Sequence, residues 1–338
     1  MPQYRRIKYY KNKRKKSNVA LENMAVLVIV AILVSGIMIA SFIVALTRFS
    51  TNDPTASSVA ESSEVSIEVS VEESSEVPEV STPDYDYYDG IEYTEITIDN
   101  KEISNGSLAI VKNGGSVPTI DTSKTAGVHE VMTPGVYGLK DYSLKAYTTA
   151  IKGIDQFIVN FYNAVPNNGL IIGEALISAS GVSSENGSID LTSGYSFLFS
   201  IHRSSYSFSD PAFQFLREQS YRYGVVQRYP ADKKQYTGFE ENLKIYRYVG
   251  IEHSYYMNYY NLCLEEYIDK ITTERVIEFR SGLEDNTAYV IYYVPADTTS
   301  SVTKVPVPSD ERYTYNVSGD GSKGFVVSVD TQGKVVIC

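Results

Sequence analysis

Tyr223-Gly224-Val225-Val226-Gln227-Arg228-Tyr229-Pro230, then Thr237-Gly238, then Tyr246-Arg247-Tyr248-Val249-Gly250 is the stretch that organises this protein. Ser209-Asp210-Pro211 opens the helix before it, with Asp210 as N-cap and Pro211 as the first helical residue; Gly224 is the stop. Val225–Tyr229 reads as a short strand. Upstream, residues 142–164 place Leu144, Tyr147, Ile151, Ile154, Ile158 and Phe161 at helical spacing, which predicts an amphipathic helix. Gly169-Leu170-Ile171-Ile172 reads as a buried strand. Tyr93–Ile98 alternates as a strand, and Leu108–Val111, after Asn105-Gly106-Ser107, reads as another. Downstream, residues 252–271 read as one helix carrying Met257, Leu262, Leu264, Tyr267 and Ile268. From Arg275 onward come alternating strands at Val276–Phe279, Ala288–Tyr293 and Gly324–Val329. The expected class is α+β, a core at 93–272 followed by a small all-β appendage at 273–338.

Outward from this body the composition changes twice. Residues 1–48 carry nine Lys/Arg against one Glu, and residues 49–100 carry fourteen Asp/Glu with no Lys or Arg. The apolar, uncharged segment 23–47 is long enough to cross a ~30 Å hydrocarbon core as a helix. Eight Lys/Arg precede it, so the positive-inside rule predicts residues 1–22 in the cytoplasm and everything after Arg48 outside the cell membrane. The length of the apolar run, and the lack of a small-x-small cleavage site, argue against a removed signal peptide. From Ser50 to about Gly90 the chain is Ser, Glu, Val, Thr and Pro with one charge sign, which predicts that 48–92 is a disordered linker with a coil dimension of roughly 35 Å. The expected partner of 23–47 is membrane lipid. The remaining body carries 21 basic and 26 acidic residues and no basic stripe, which argues against nucleic acid as a partner. With only Cys263 and Cys338, a disulfide scaffold and a cysteine-rich zinc module are excluded.

The blocks quoted at the outset resemble the VanY-like D-alanyl-D-alanine carboxypeptidases, in their motifs and in the spacing between them. Leu264-Glu265-Glu266-Tyr267 fits that family's next helix, and Asn105-Gly106-Ser107-Leu108 and Tyr137-Gly138-Leu139 sit where similar motifs occur. The C-terminal strands resemble the β-extension of the vancomycin-resistance member. The resemblance spans roughly 93–330. It implies a zinc D,D-carboxypeptidase-like core, and zinc as the family's cofactor. The family's ligands are two His and one Asp, arriving as S-x-H-x-x-G-x-x-x-D and a later E-P-W-H whose Glu is the general base. Three protein ligands leave an open position for the attacking water.

Here the E-P-W-H motif falls on Asn242-Leu243-Lys244-Ile245, because Thr237-Gly238 and Arg247–Gly250 bracket it without a gap. Asn242 stands at the general-base position and Ile245 at a ligand position. The first motif has two registers. Spacing back from the Pro211 helix sets the family Gly at Gly194, with Leu191 at the His position and Leu198 at the Asp position. The other register keeps His202 as a ligand and sets Ser209 at the Asp position, but leaves too few residues before the next helix. The family's substrate-holding Arg should follow the Ile171-Ile172 strand, around Gly173–Ile177, where no Arg exists. No zinc is therefore expected to bind, and the resemblance implies a pseudopeptidase that binds peptidoglycan stem peptide or an extracytoplasmic protein. Gly194, Tyr195, Asn242 and Arg247 are the candidate cleft residues, with Arg247 able either to grip a peptide carboxylate or to pack structurally beside Tyr248.

Two other readings are weighed: an active peptidase with rearranged ligands, and an extracellular adhesion or scaffold module. The first would draw on His129, His202 and His253, which have no ligand spacing among them. Ser178–Ser188 lacks a nucleophile-elbow pattern and reads as a flexible loop. Cys263 reads as buried in a helix, and Cys338 as able to pair between chains. The 29 tyrosines and absent tryptophan, with Tyr255-Tyr256 and Tyr259-Tyr260 as pairs, suit sugar or protein recognition as well as packing.

Overall fold

The computed structural model describes residues 87–182, 186–202, 205–280 and 288–331. The basic segment 1–22, the apolar segment 23–47, nearly all of the linker and Cys338 lie outside them. Among the described residues no helix is long and apolar enough to cross a membrane.

The strands, in sequence order, begin with β1 (Tyr93–Asp99), β2 (Thr125–Gly127), β3 (Gly138–Leu139) and β4 (Lys145–Tyr147). β5 (Leu170–Glu174), β6 (Ser196–Ile201), β7 (Val225–Tyr229) and β8 (Asn242–Tyr248) follow. The last are β9 (Val276–Arg280), β10 (Ala288–Pro295), β11 (Val302–Pro308), β12 (Thr314–Gly319) and β13 (Gly324–Asp330). Four helices matter to the packing: α1 (Thr148–Ala164), α2 (Gln214–Gln219), α3 (Ile251–Tyr259) and α4 (Leu264–Glu274).

A five-stranded sheet runs in the order β3-β5-β6-β8-β7, with β3 parallel to β5 and the other neighbours antiparallel. Alternation along β6 sends Phe197 and Phe199 to one face. There they meet Ile151, Ile154, Phe157, Ile158 and Phe161 of α1, and Tyr246 of β8. The stripe predicted for the helix is the buried one, although residues 145–147 form β4 and the helix starts at Thr148. A second sheet, β12-β13-β10-β9, is covered on both faces. Ile291, Tyr293 and Val326 pack on Tyr256, Met257, Leu264, Tyr267 and Ile271 of α3 and α4. Val290, Tyr292, Val294 and Val327 pack on Val305 and Val307 of β11.

Several expectations are corrected. Residues 252–271 form two helices, because Asn261 adopts a left-handed φ of 51° and Cys263 starts α4 with Glu266 accepting its backbone N–H at 2.9 Å. Asp210 and Pro211 do stand at the N-cap and first position, but the run begins as a 3₁₀ turn, Pro211–Phe213, and the Asp210 carboxylate accepts from Ser207 N rather than from the turn. Gly224 does close the helical run, at φ 74°, where a Cβ would stand 2.8 Å from the Tyr248 ring. Leu108–Val111 is buried but is not a strand, since its backbone is engaged by side chains: Leu108 N donates to Ser318 Oγ at 3.0 Å, and Ala109 O accepts from Arg247. β1 opens the segment expected as the core, yet pairs residue for residue with β11, in the segment expected as the appendage, from Tyr93↔Pro308 to Asp99↔Val302.

Candidate functional site

The sheet face turned away from α1 carries the residues that motif spacing selected. Leu198 of β6 stands directly opposite Ile245 of β8. Leu191 arrives from the 3₁₀ turn Ser188–Ser193, and Tyr229 from the end of β7. These four side chains form a hydrophobic cluster of their own, with Ile177 and Phe239 packed against it. Leu191, Tyr229 and Ile245 are fully buried and Leu198 is 8% exposed. Their burial stabilises the fold by roughly 1.5–3 kcal/mol per aliphatic side chain.

Leucine and isoleucine carry no lone pair, so these positions do not fit a zinc ion. Among the described residues no group of three or more His, Cys, Asp and Glu is placed to hold a metal. Glu174 stands opposite Leu198 on β5, with Oε1 3.9 Å from Lys140 Nζ, but a single carboxylate is not a ligand set. The histidines are dispersed. His129 and His202 are exposed, whereas His253 is buried in α3, with Nδ1 2.5 Å from the Tyr267 hydroxyl and its pKa lowered by that burial. Burial pushes the Cys263 thiol up to about 12, which leaves it a poor nucleophile.

Asn242, at the general-base position, is 4% exposed and is used by the backbone. Its Nδ2 donates to Asn186 O at 2.6 Å, and its Oδ1 accepts from Lys244 N at 2.9 Å. Asn186 in turn donates to Glu240 O at 2.7 Å, and the Tyr229 hydroxyl donates to Gly187 O at 3.2 Å. The segment at Asn186–Gly187 is thus stitched to β7 and β8 over the apolar cluster. Gly187 has φ 81°, and a Cβ there would fall 2.1 Å from Tyr229 Cε2. Gly187→Ala is therefore expected to destabilise by more than the ~1–2 kcal/mol of the left-handed backbone alone. Urea unfolding checks this, and an unchanged midpoint would contradict the close packing.

Beside the cluster lies a buried ionic network that motif spacing does not announce. Asp190 precedes Leu191 and is fully buried. Its Oδ1 accepts from Arg228 Nε at 3.0 Å and Arg247 Nη1 at 2.9 Å, and its Oδ2 from Ser196 Oγ at 2.5 Å. Arg228 also grips Glu265 of α4 with two bonds of 3.0 and 2.6 Å. Burial alone would raise the Asp190 pKa, but the two guanidinium groups outweigh it and hold it below the usual carboxylate value. Glu265 and Glu266 divide their work: one clamps Arg228, the other caps α4 and pairs with Lys233 Nζ at 2.9 Å.

Arg247 is fully buried, and besides Asp190 it donates to Ser107 O at 2.8 Å, Ala109 O at 2.8 Å and Gly106 O at 3.2 Å. Its donors hold the 106–109 segment against β8, an arrangement that accords with the packing alternative for Arg247. The other candidates separate as well. Gly194, at φ 72°, and Tyr195 lie on the α1 side, where Tyr195 stacks on Tyr147 with ring centroids 4.4 Å apart. These two rings line a cleft of about 420 Å³ together with Asn105, Asp121, Lys124 and Glu102. Asn242 belongs to the other face, with the apolar cluster. Ile177, from the segment where the family would place its substrate-holding Arg, packs on that cluster too.

Ser188 is buried at the start of its 3₁₀ turn, so the end of the serine-rich segment belongs to the site's framework rather than to a loose loop. Arg228 carries a sequence signal of its own: a guanidinium inside Val225–Tyr229 demands a buried acid.

No family model matches the protein. A D-alanyl-D-alanine carboxypeptidase of Enterococcus faecium is 27% identical over 256 residues, covering 70% of this chain and 78% of the relative. A D-alanyl-D-alanine carboxypeptidase of Enterococcus faecalis is 42% identical over 64 residues, 19% of this chain and 24% of the relative. The crystal structure of the vancomycin resistance D,D-dipeptidase VanXYg, in complex with a D-Ala-D-Ala phosphinate analog, superposes with a TM-score of 0.57 at 20% identity. That match covers 71% of this chain and 99% of the solved one, and it shows the fold. In sequence likeness and in fold, the protein resembles the VanY-like D-alanyl-D-alanine carboxypeptidases.

Proposed function

We propose that this is a non-catalytic VanY-like protein, tethered to the cell membrane through 23–47, whose folded domain lies outside and binds peptidoglycan stem peptide without cleaving it. One observation carries the loss of catalysis. Leu191, Leu198 and Ile245 come from separate segments, were selected by motif spacing, and meet in a single buried apolar cluster. Their convergence supports the register with Gly194 over the register with His202. Zinc peptidase chemistry needs a Lewis acid and a base on its water; here hydrocarbon and an amide stand at those positions.

For the ligand, support comes from the solved D,D-dipeptidase, whose structure holds a D-Ala-D-Ala analogue. In this protein the place we assign to a peptide is the open cleft of Tyr147 and Tyr195. Lys124 there suits a carboxylate, and Asp121 and Glu102 suit an ammonium group.

The test incubates the full-length protein with zinc and a pentapeptide ending in D-Ala-D-Ala, following D-alanine release and equilibrium binding. The expected result is saturable binding with no release above a blank. Chelator-sensitive release would overturn the loss of catalysis. No binding by folded protein would overturn the ligand and favour an extracytoplasmic protein partner or a scaffold role.

A further inference from the structure

A second cleft, of about 480 Å³, lies on a different part of the molecule, between α3 and β9. Its walls are aromatic: Tyr221, Tyr255, Tyr259 and Tyr260, with Phe279 behind them. The inner face of α3 is already supplied by Tyr256 and Met257, which pack on α4 and β9–β10. Tyr255 and Tyr259, four residues apart, are thus an outer stripe that the core does not require. Tyr259 is 74% exposed and Tyr260 50%.

These rings pack on one another. Tyr255 meets Tyr221 edge-on at 4.8 Å, and Tyr259 meets Tyr260 edge-on at 4.8 Å. Tyr260 is backed by Tyr256 at 4.6 Å and by Lys270 Nζ at 5.4 Å from its centroid. Aromatic side chains, with only two χ angles, lose little entropy on binding. Asn258, Glu278 and Arg280 join them along the lining. An amide, a carboxylate and a guanidinium can hydrogen-bond hydroxyl and amide groups together, and the acid and the base cancel in charge.

We propose that this cleft is a binding site for a neutral oligosaccharide, its sugar rings stacking on Tyr255 and Tyr259 while Asn258, Glu278 and Arg280 take the hydroxyl and acetamido groups. A proline-rich peptide also uses tyrosine-lined grooves, but offers fewer polar groups to three hydrogen-bonding side chains. Only the choice of an N-acetylated sugar rests on the proposed extracellular setting. The site shares no lining residue with the Tyr147–Tyr195 cleft.

The experiment titrates the full-length protein with β-1,4-linked N-acetylglucosamine tetramer by calorimetry, and separately with a proline-rich decapeptide. Expected are saturable tetramer binding, affinity about tenfold weaker in Tyr259→Ala, and affinity largely kept in Tyr259→Phe. Tyr142→Ala, at another exposed tyrosine, is expected to bind as the parent does. Absence of tetramer binding by folded protein, equal loss in Tyr142→Ala, or binding of the decapeptide alone would overturn the proposal. A failure of the D-Ala-D-Ala peptide to bind would leave this result standing, so the two readings fail separately.

Discussion

Asp190→Ala is expected to cost about 3–5 kcal/mol of folding stability, the range for breaking a buried ion pair by removing one partner. The reason is what it leaves behind. Arg247 has no exposed surface, and Arg228 is 2% exposed. Arg228 keeps Glu265, but Arg247 would retain only the carbonyls of Gly106, Ser107 and Ala109. A buried guanidinium without a counter-charge is the costly product, and the loss is felt in β6, β7, β8 and the 106–109 segment together. Asp190→Asn keeps the shape and some hydrogen bonds but not the charge, so an intermediate loss is expected. Urea unfolding followed by circular dichroism reads both, and a loss below about 1 kcal/mol in Asp190→Ala would contradict the network's role.

The same group sets a pH signature. The folded pKa of Asp190 lies below its ordinary value near 3.9, so the ionised form is the one the fold prefers. Its contribution is fully present above that ordinary value and is lost as pH falls through the lower folded value. The acid limb of the parent's stability curve should therefore carry a component, below about pH 4, that is missing from Asp190→Asn.

Leu191→His, Leu198→Asp and Ile245→His, combined, are expected to create zinc binding where the parent has none. The three positions already meet, and Leu198 and Ile245 are in direct register across β6 and β8. Without metal the variant should be much less stable, having exchanged three buried hydrocarbon side chains for polar ones at roughly 1.5–3 kcal/mol of lost apolar burial each. Zinc should then restore stability by binding only the folded form. Thermal unfolding with and without zinc tests this: a large upward shift in Tm for the triple variant, and none for the parent. Ile245→His alone should show no shift. A triple variant that folds but ignores zinc would show that these positions do not have the geometry of a ligand set.

Much of the central sheet is legible in the sequence. β7 is short, opens with Val225-Val226 and is bounded by Gly224 and Pro230, and β5 opens with Leu170-Ile171-Ile172 after Gly169. The break between α3 and α4 is not, because Tyr260–Cys263 contains neither Gly nor Pro, and the apolar spacing continues through it. The turn rests on Asn261 at φ 51°, a conformation asparagine tolerates without signalling it. β11 is hidden for the opposite reason. Pro306 and Pro308 argue against a strand, but β11 pairs with β1 alone, and edge strands accept proline. At the site, motif spacing alone singles out Leu191, Leu198 and Ile245, and the fold gathers them into one apolar cluster. Asp190 with Arg228 and Arg247 is not readable that way, since its members lie 38 and 57 residues apart and no local pattern links them. The fate of Arg247 is decided by the same long-range contacts: the alternative of packing holds, but its partners are Asp190 and three carbonyls rather than Tyr248.

The most direct measurement is the zinc content of the full-length protein, purified with zinc supplied and dialysed against metal-free buffer. A non-catalytic protein with hydrocarbon at the ligand positions should retain no stoichiometric metal. About one zinc per molecule, retained through dialysis and released by a chelator together with D-alanine-releasing activity, would contradict it.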